Sequence, residues 1–296
     1  MKMPRRIDDA LLKGAFEENF PDFLRFLYPN ADEVFDFGKT IEFMNKELLA
    51  IVPDRVSGSG MRIVDLLAKV HLKDGTVKPI LVHTEIEGGS KKAFAERMFE
   101  YYYRIRDRYG PPVETIAVFT GGRKQVRPSH FKEKCIDCVA KYRFRAYHIF
   151  QHSADELFAM DNVFGMIVLV CQNSLDQGRV PEEELAQSRL DIAKALLGKN
   201  IDHDRIKSLL YFIKHFLFVG NEELNRKFDK EITQFSNKNI DMGVLEIIKD
   251  REREQGIIKG RKEEALAIAN RLKAKGYTLD EIAEVSKLSV EEIEKL

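Results

Sequence analysis

Val64-Asp65-Leu66-Leu67-Ala68-Lys69-Val70-His71-Leu72 and Val77-Lys78-Pro79-Ile80-Leu81-Val82-His83-Thr84-Glu85-Ile86-Glu87, joined by Lys73-Asp74-Gly75-Thr76, decide the fold. Both arms are rich in apolar and β-branched residues. The four residues between them form turns readily, and Gly75 takes positive φ at little cost. This is the pattern of an antiparallel hairpin with buried arms. Two registers are open. A loop centred on Gly75 pairs 73 with 77 and sets 65 opposite 85. A strict two-residue Asp74-Gly75 loop pairs 65 with 84 and parts the two acids onto opposite faces. We expect the first.

Beyond the hairpin, Phe94, Met98, Tyr101, Tyr102 and Ile105 form one stripe, with Arg97, Arg104 and Arg108 beside it, which predicts a helix over 91–109. Gly110-Pro111-Pro112 ends it. Val113 to Thr120 reads as a strand closed by Gly121-Gly122, and 141–150 alternates as an edge or half-exposed strand. Ahead of the hairpin, Phe16, Phe20, Phe23, Phe26 and Leu27 recur at helical spacing behind a cap at Asp8 or Asp9, and a second helix is expected over Thr40 to Ile51. After about 154 only helices are expected, over 154–172, 181–198, 202–219 and 221–235, then a charged amphipathic stretch over 243–275. The expected fold is therefore α/β: a mixed sheet flanked by helices, followed by a helical C-terminal region. The expected divisions are an α/β domain at 1–154, a helical region at 155–240, and a long amphipathic helix with a small helical tail at 241–296.

Over 296 residues, 48 Lys and Arg balance 48 Asp and Glu, and 44% of residues are hydrophobic. That balance excludes a disordered chain and a general polycation. No apolar run reaches the roughly 20 residues that span a bilayer, and Met1-Lys2-Met3-Pro4-Arg5-Arg6 does not open a signal peptide, so the expectation is a cytoplasmic protein without a membrane partner. Cys135, Cys138 and Cys171 are too few for a disulfide framework. The zero is a cancellation. Residues 1–90 hold 12 basic and 15 acidic residues, 91–145 hold 14 and 6, and 146–296 hold 22 and 27. A basic middle between acidic flanks points to an anionic partner, although basic residues also simply solvate helix faces.

Asp65 interrupts one apolar arm of the hairpin, and Glu85 and Glu87 interrupt the other. A charged carboxylate inside a sheet is costly unless paired or bound to a cation. Residues two apart face the same side, so Glu85 and Glu87 point together, about 6–7 Å apart at Cα. In the expected register Asp65 joins Glu85 at about 5 Å. Carboxylates so close repel each other, and a hard divalent cation such as Mg²⁺ relieves the repulsion and polarises a phosphodiester. The plain alternative is a set of solvated charges at the rim of a sheet.

Asp65, a gap of about twenty residues, then Glu85-x-Glu87 resembles the PD-(D/E)XK nuclease pattern. The chain resembles in particular the Rpn family of recombination-promoting nucleases, a group also described as transposase-like. The matching stretches are Phe23-Leu24-Arg25-Phe26-Leu27-Tyr28-Pro29, Lys46-Glu47-Leu48, Val64-Asp65 through Val70, Val82-His83-Thr84-Glu85-Ile86-Glu87-Gly88 and Ala95-Glu96-Arg97-Met98-Phe99-Glu100-Tyr101-Tyr102-Tyr103-Arg104-Ile105-Arg106-Asp107-Arg108-Tyr109-Gly110. Gly256-x-x-x-Gly260 and Ile282 through Ser289 are similar to the family's tail. The likeness spans nearly the whole chain and is most specific over 82–110.

The resemblance implies a restriction-endonuclease-like core and a metal-dependent DNA endonuclease. Asp65 and Glu85 would hold Mg²⁺, with Mn²⁺ as a second candidate, and Glu47 matches an added acidic position. Glu87 takes the third motif position. The superfamily has Lys there and this family usually Gln, so Glu87 is a departure: it could accept a water proton or weaken catalysis. A protein that binds DNA or other partners without cutting is the alternative. Arg97, Arg104 and Arg108 are placed to steer the DNA backbone. The Tyr101-Tyr102-Tyr103 run is expected to pack in the core.

Cys135-x-x-Cys138, with His130, His148 and His152 nearby, lacks the second pair that a zinc site shows. Gly121-Gly122-Arg123-Lys124 lacks a nucleotide-loop pattern. Residues 279–293 resemble a small helix-turn-helix but are mostly acidic, so packing or self-association is expected. The long helix ahead of them suits a homodimer.

Overall fold

A computed structural model describes residues 5–45, 48, 64–75, 79–89, 93–239, 265–273, 277–286 and 293; the side chains of 5–9, 64, 65, 236–239, 280 and 284 are outside it. The hairpin arms become β2 (Val64–Val70) and β3 (Ile80–Glu87), with β1 (Glu42–Phe43) ahead of them. Gly75 has φ 81°, the left-handed region that glycine enters freely. The pairing is antiparallel and sets Asp65 opposite Glu85 and Val70 opposite Ile80, the register of a loop centred on Gly75.

A helix, α4 (Phe94–Tyr109), then carries the chain back to β4 (Val113–Phe119), which lies parallel to β3. Parallel neighbours need such a crossover. β5 (His130–Cys135) and β6 (Cys138–Arg143) form their own hairpin, and β7 (Arg145–His148) rejoins the main sheet parallel to β4. The order β1-β2-β3-β4-β7 makes this a mixed five-stranded sheet with β3 at its centre. β3 is buried on both faces after Ile80.

Leu67, Leu81, Tyr101, Ile105, Met44 and Leu48 form one core cluster between α4 and the sheet. The β5–β6 hairpin packs on α4, where Phe131 stacks on Phe99 at 4.9 Å and Tyr142 on Tyr102 at 4.4 Å, and Tyr142 also donates to Thr115 on β4. Tyr101 is core, as expected, while Tyr103 is 60% exposed. Among the described residues three helices precede β1: α1 (Arg5–Glu18), α2 (Phe20–Leu27) and α3 (Ala31–Val34). Phe16, Phe20 and Phe23 are buried, and Phe16 and Phe23 each meet Phe164 at 4.9 Å. Phe164 opens α6 (Phe164–Ser174), which follows the short α5 (Ala154–Ala159). α7 (Glu182–Leu197), α8 (His203–Phe216) and α9 (Glu222–Asn239) complete this part.

The structure differs from the sequence reading at three places. Glu42–Phe43 pair with β2 as an edge strand where a helix was expected; much of that helix falls on 46, 47 and 49–51, outside the described residues. The alternating run 141–150 is two strands broken at Phe144, because its first part pairs with β5 and its last with β4. The helix expected over 154–172 is interrupted between Ala159 and Phe164. The chain after 154 is helical, as expected, and the whole divides into one unit to residue 240 and a second from 241. In the second unit α10 (Leu279–Ser286) is capped by Thr278, whose hydroxyl and N–H donate to the Glu281 carboxylate at 2.8 and 2.9 Å, and Ala269, Ile282 and Ile293 form a buried apolar cluster. The amphipathic stretch expected over 243–275 lies largely outside the described residues. No described helix is long and apolar enough to cross a membrane.

Candidate functional site

Glu85 and Glu87 stand two apart on the central strand. Glu85 is fully buried and Glu87 is 3% exposed. The Cα partner of Glu85 on β2 is Asp65, the pairing that the acid site needs. The side chain of Asp65 and all of Glu47 lie outside the described residues, so the described part of the site is the two glutamates and what meets them.

Arg97 meets them both. It is one turn into α4 and its side chain turns toward the sheet. Nε donates to Glu85 Oε1 at 2.7 Å, and Nη2 approaches the same oxygen at 2.5 Å and donates to Glu87 Oε2 at 3.0 Å. Phe94 lies under the guanidinium at 5.0 Å. Here the structure differs from the sequence reading: Arg97 is 5% exposed and holds two carboxylates of its own chain. Burial alone would lower the pKa of this guanidinium; the charges and hydrogen bonds of Glu85 and Glu87 outweigh it and raise the pKa. Arg104 is half-buried and Arg108 is exposed. Helical arithmetic separates the three. Arg97, Tyr101 and Ile105 recur every four residues and share the face that packs on the sheet.

Glu87 is held from every side. Its Oε1 accepts the Gly89 N–H at 2.8 Å, and its carbonyl accepts the Thr120 N–H at 3.0 Å and Gln125 Nε2 at 2.8 Å. Two residues before Glu85, His83 is fully buried, its ring 4.7 Å from that of Tyr101, with no hydrogen-bond partner at either nitrogen among the described residues. Burial first, and the charge of Arg97 second, push its pKa down to about 3, so the ring is neutral at ordinary pH. His83, Gln125 and the inward turn of Arg97 were not singled out by the sequence reading. The apolar spacing around Arg97 was the signal for the third.

Chemically, the site gathers hard oxygen donors around one cation. Glu85 and Glu87 against Arg97 leave the described part of the site with a formal charge of −1. Among the described residues, no three of His, Cys, Asp and Glu gather as metal ligands. Cys135 and Cys138 are register partners at the tip of the β5–β6 hairpin, both exposed. The chain was compared with family models, with curated proteins and with solved structures, and none of the three comparisons finds a match.

Proposed function

We propose that this chain is a restriction-endonuclease-like, metal-dependent hydrolase of DNA phosphodiesters, as its resemblance to recombination-promoting nucleases implies. The observation that supports this most is the register. Asp65 is the register partner of Glu85 in the antiparallel pair of β2 and β3, and directly opposed positions lie on one face of a sheet. Asp65 and Glu85 would hold Mg²⁺ or Mn²⁺, and Glu47 is a third candidate ligand. Once bound, the ion would supply Lewis acidity and lower the pKa of a water. The chain's own residues do the rest. Arg97 fixes the Glu85 carboxylate against rotation and offsets part of the acid repulsion. Glu87, where the related nucleases carry Gln or Lys, is held by Arg97 and the Gly89 N–H. Two copies, each cutting one strand, would make a double-strand break.

A second reading has its own support. Arg97 already serves as a cation for both glutamates, so a metal competes with it for Glu85. On this reading the chain binds DNA or protein partners without cutting. Plasmid nicking in Mg²⁺ and in Mn²⁺ separates the two, comparing wild type with Asp65→Ala and Glu85→Gln. Cutting by wild type alone supports the hydrolase. Equal cutting by all three sinks the site, and absence of cutting with DNA binding retained supports the second reading.

A further inference from the structure

From Thr120 to Lys132 the chain carries four cations, Arg123, Lys124, Arg127 and Lys132, and no acid. This segment leaves β4 at Phe119, the register partner of Glu87, so it starts beside the acidic positions. It is built to one shape. A Cβ on Gly121 would sit 2.7 Å from the side chain of Gln125 and 2.8 Å from the Gly88 carbonyl, so only glycine fits. The buried Gln125 staples the loop: Oε1 accepts the Gly121 N–H at 2.7 Å, and Nε2 donates to the carbonyls of Glu87 at 2.8 Å and Gly89 at 2.5 Å. A side chain that satisfies three backbone groups replaces the missing ladder and fixes the loop to the end of β3.

The cations are held on that base and face outward. The Arg123 guanidinium lies 4.3 Å over the Phe150 ring. Arg127 Nη1 donates to His148 Nδ1 at 3.2 Å, and His148 Nε2 donates to the Gly121 carbonyl at 3.1 Å. Burial, foremost, holds His148 below its ordinary pKa, which keeps the neutral ring that this pair of contacts needs. Arg123, Lys124 and Arg127 are exposed, and among the described residues none of them pairs with a carboxylate. Three other arginines of this unit are spent on their own chain, Arg97 on Glu85 and Glu87, Arg145 on the Leu27 carbonyl and Arg205 on Asp22, whereas Arg106, Arg108 and Arg143 are exposed as the loop cations are. Planar guanidinium groups oriented in advance are what phosphate recognition uses.

We infer that the 120–127 loop is the surface that grips the phosphate backbone of duplex DNA beside the acidic positions, in the role that the sequence pattern gives to Arg97. The inference rests on the reading of this chain as DNA-acting, and it names the part that binds rather than the part that cuts. Contacts of this kind position the duplex and carry no sequence information.

The test is fluorescence anisotropy of the full chain on a labelled DNA duplex in EDTA, across a salt series. Three proteins are compared: wild type, Arg123→Gln/Lys124→Gln/Arg127→Gln, and a control that removes the same charge from exposed residues of α9, Arg226→Gln/Lys227→Gln/Lys230→Gln. Each phosphate contact adds about 0.9 to the slope of log affinity against log salt. The loop variant should therefore bind more weakly, with a slope lower by about 2–3, while the control keeps the wild-type slope. A loop variant with wild-type slope, equal losses in both variants, or no binding by wild type overturns the inference. Nicking is read separately. Loop-dependent binding without nicking upholds the inference and sinks the hydrolase, whereas nicking with loop-independent binding does the reverse.

Discussion

Glu87 ties together two arginine-bearing regions that behave oppositely. Its carboxylate anchors Arg97, which faces inward and is buried. Its carbonyl anchors Gln125, and through it a loop whose Arg123, Lys124 and Arg127 face outward. The residue type is nearly the same and the consequence is not. A buried guanidinium loses its hydration and must recover it from carboxylates, so it becomes part of the fold. An exposed one keeps its hydration and remains available to an outside anion. What a basic residue does here follows from the surface it faces rather than from the local charge count.

The strongest way to break that contrast is Arg97→Met. It leaves Glu85 and Glu87 buried and repelling, and we expect a loss of about 3–5 kcal/mol in urea unfolding. A change below about 1 kcal/mol would mean that Arg97 is no part of the core. Gly121→Ala tests the base of the outward loop. The new Cβ must push aside Gln125 and the Gly88 carbonyl, at a cost of about 1–3 kcal/mol by the same measurement.

The third prediction concerns pH. His83 has its pKa pushed from 6.5 to about 3 in the fold, so between those values the unfolded chain binds a proton that the folded chain refuses. Stability therefore falls as pH drops through that window, by up to about 1.4 kcal/mol per pH unit. Urea titrations of wild type and His83→Leu from neutral to mildly acid pH check it: the substitution should flatten the decline, and parallel declines would place the acid sensitivity elsewhere. The smallest effect sharpens the other side. Single changes of Arg123, Lys124 or Arg127 to Gln should move stability by no more than about 0.5 kcal/mol. A larger loss in any of them would show that this cation, too, belongs to the fold.

The parts that were legible in the sequence share a short chain length between partners. The Asp65–Glu85 register follows from a turn centred on Gly75, and α4 from its own apolar stripe. The edge placement of β7 is legible in its alternation, but its separation from β6 at Phe144 is not, since both halves alternate alike and only their partners differ. β5 is exposed along nearly its whole length, so it has no apolar period to read. The inward turn of Arg97 is written in the helical spacing, yet its meaning depends on two glutamates on another element. Gln125 is the least legible. One amide in a basic loop gives no hint that two backbone carbonyls wait for it across 36 to 38 residues of chain.

β3 belongs to two kinds of pairing, and this has a consequence in time. Its antiparallel contact with β2 closes over a few residues around Gly75, whereas its parallel contact with β4 waits for the whole of α4. Closing a longer loop costs more entropy and comes later. As the chain leaves the ribosome, Asp65 and Glu85 can therefore find each other before Arg97 has docked and before Gln125 has been made. In that interval the acids are a pair without a counterion. The young hairpin should then be most dependent on the salt around it.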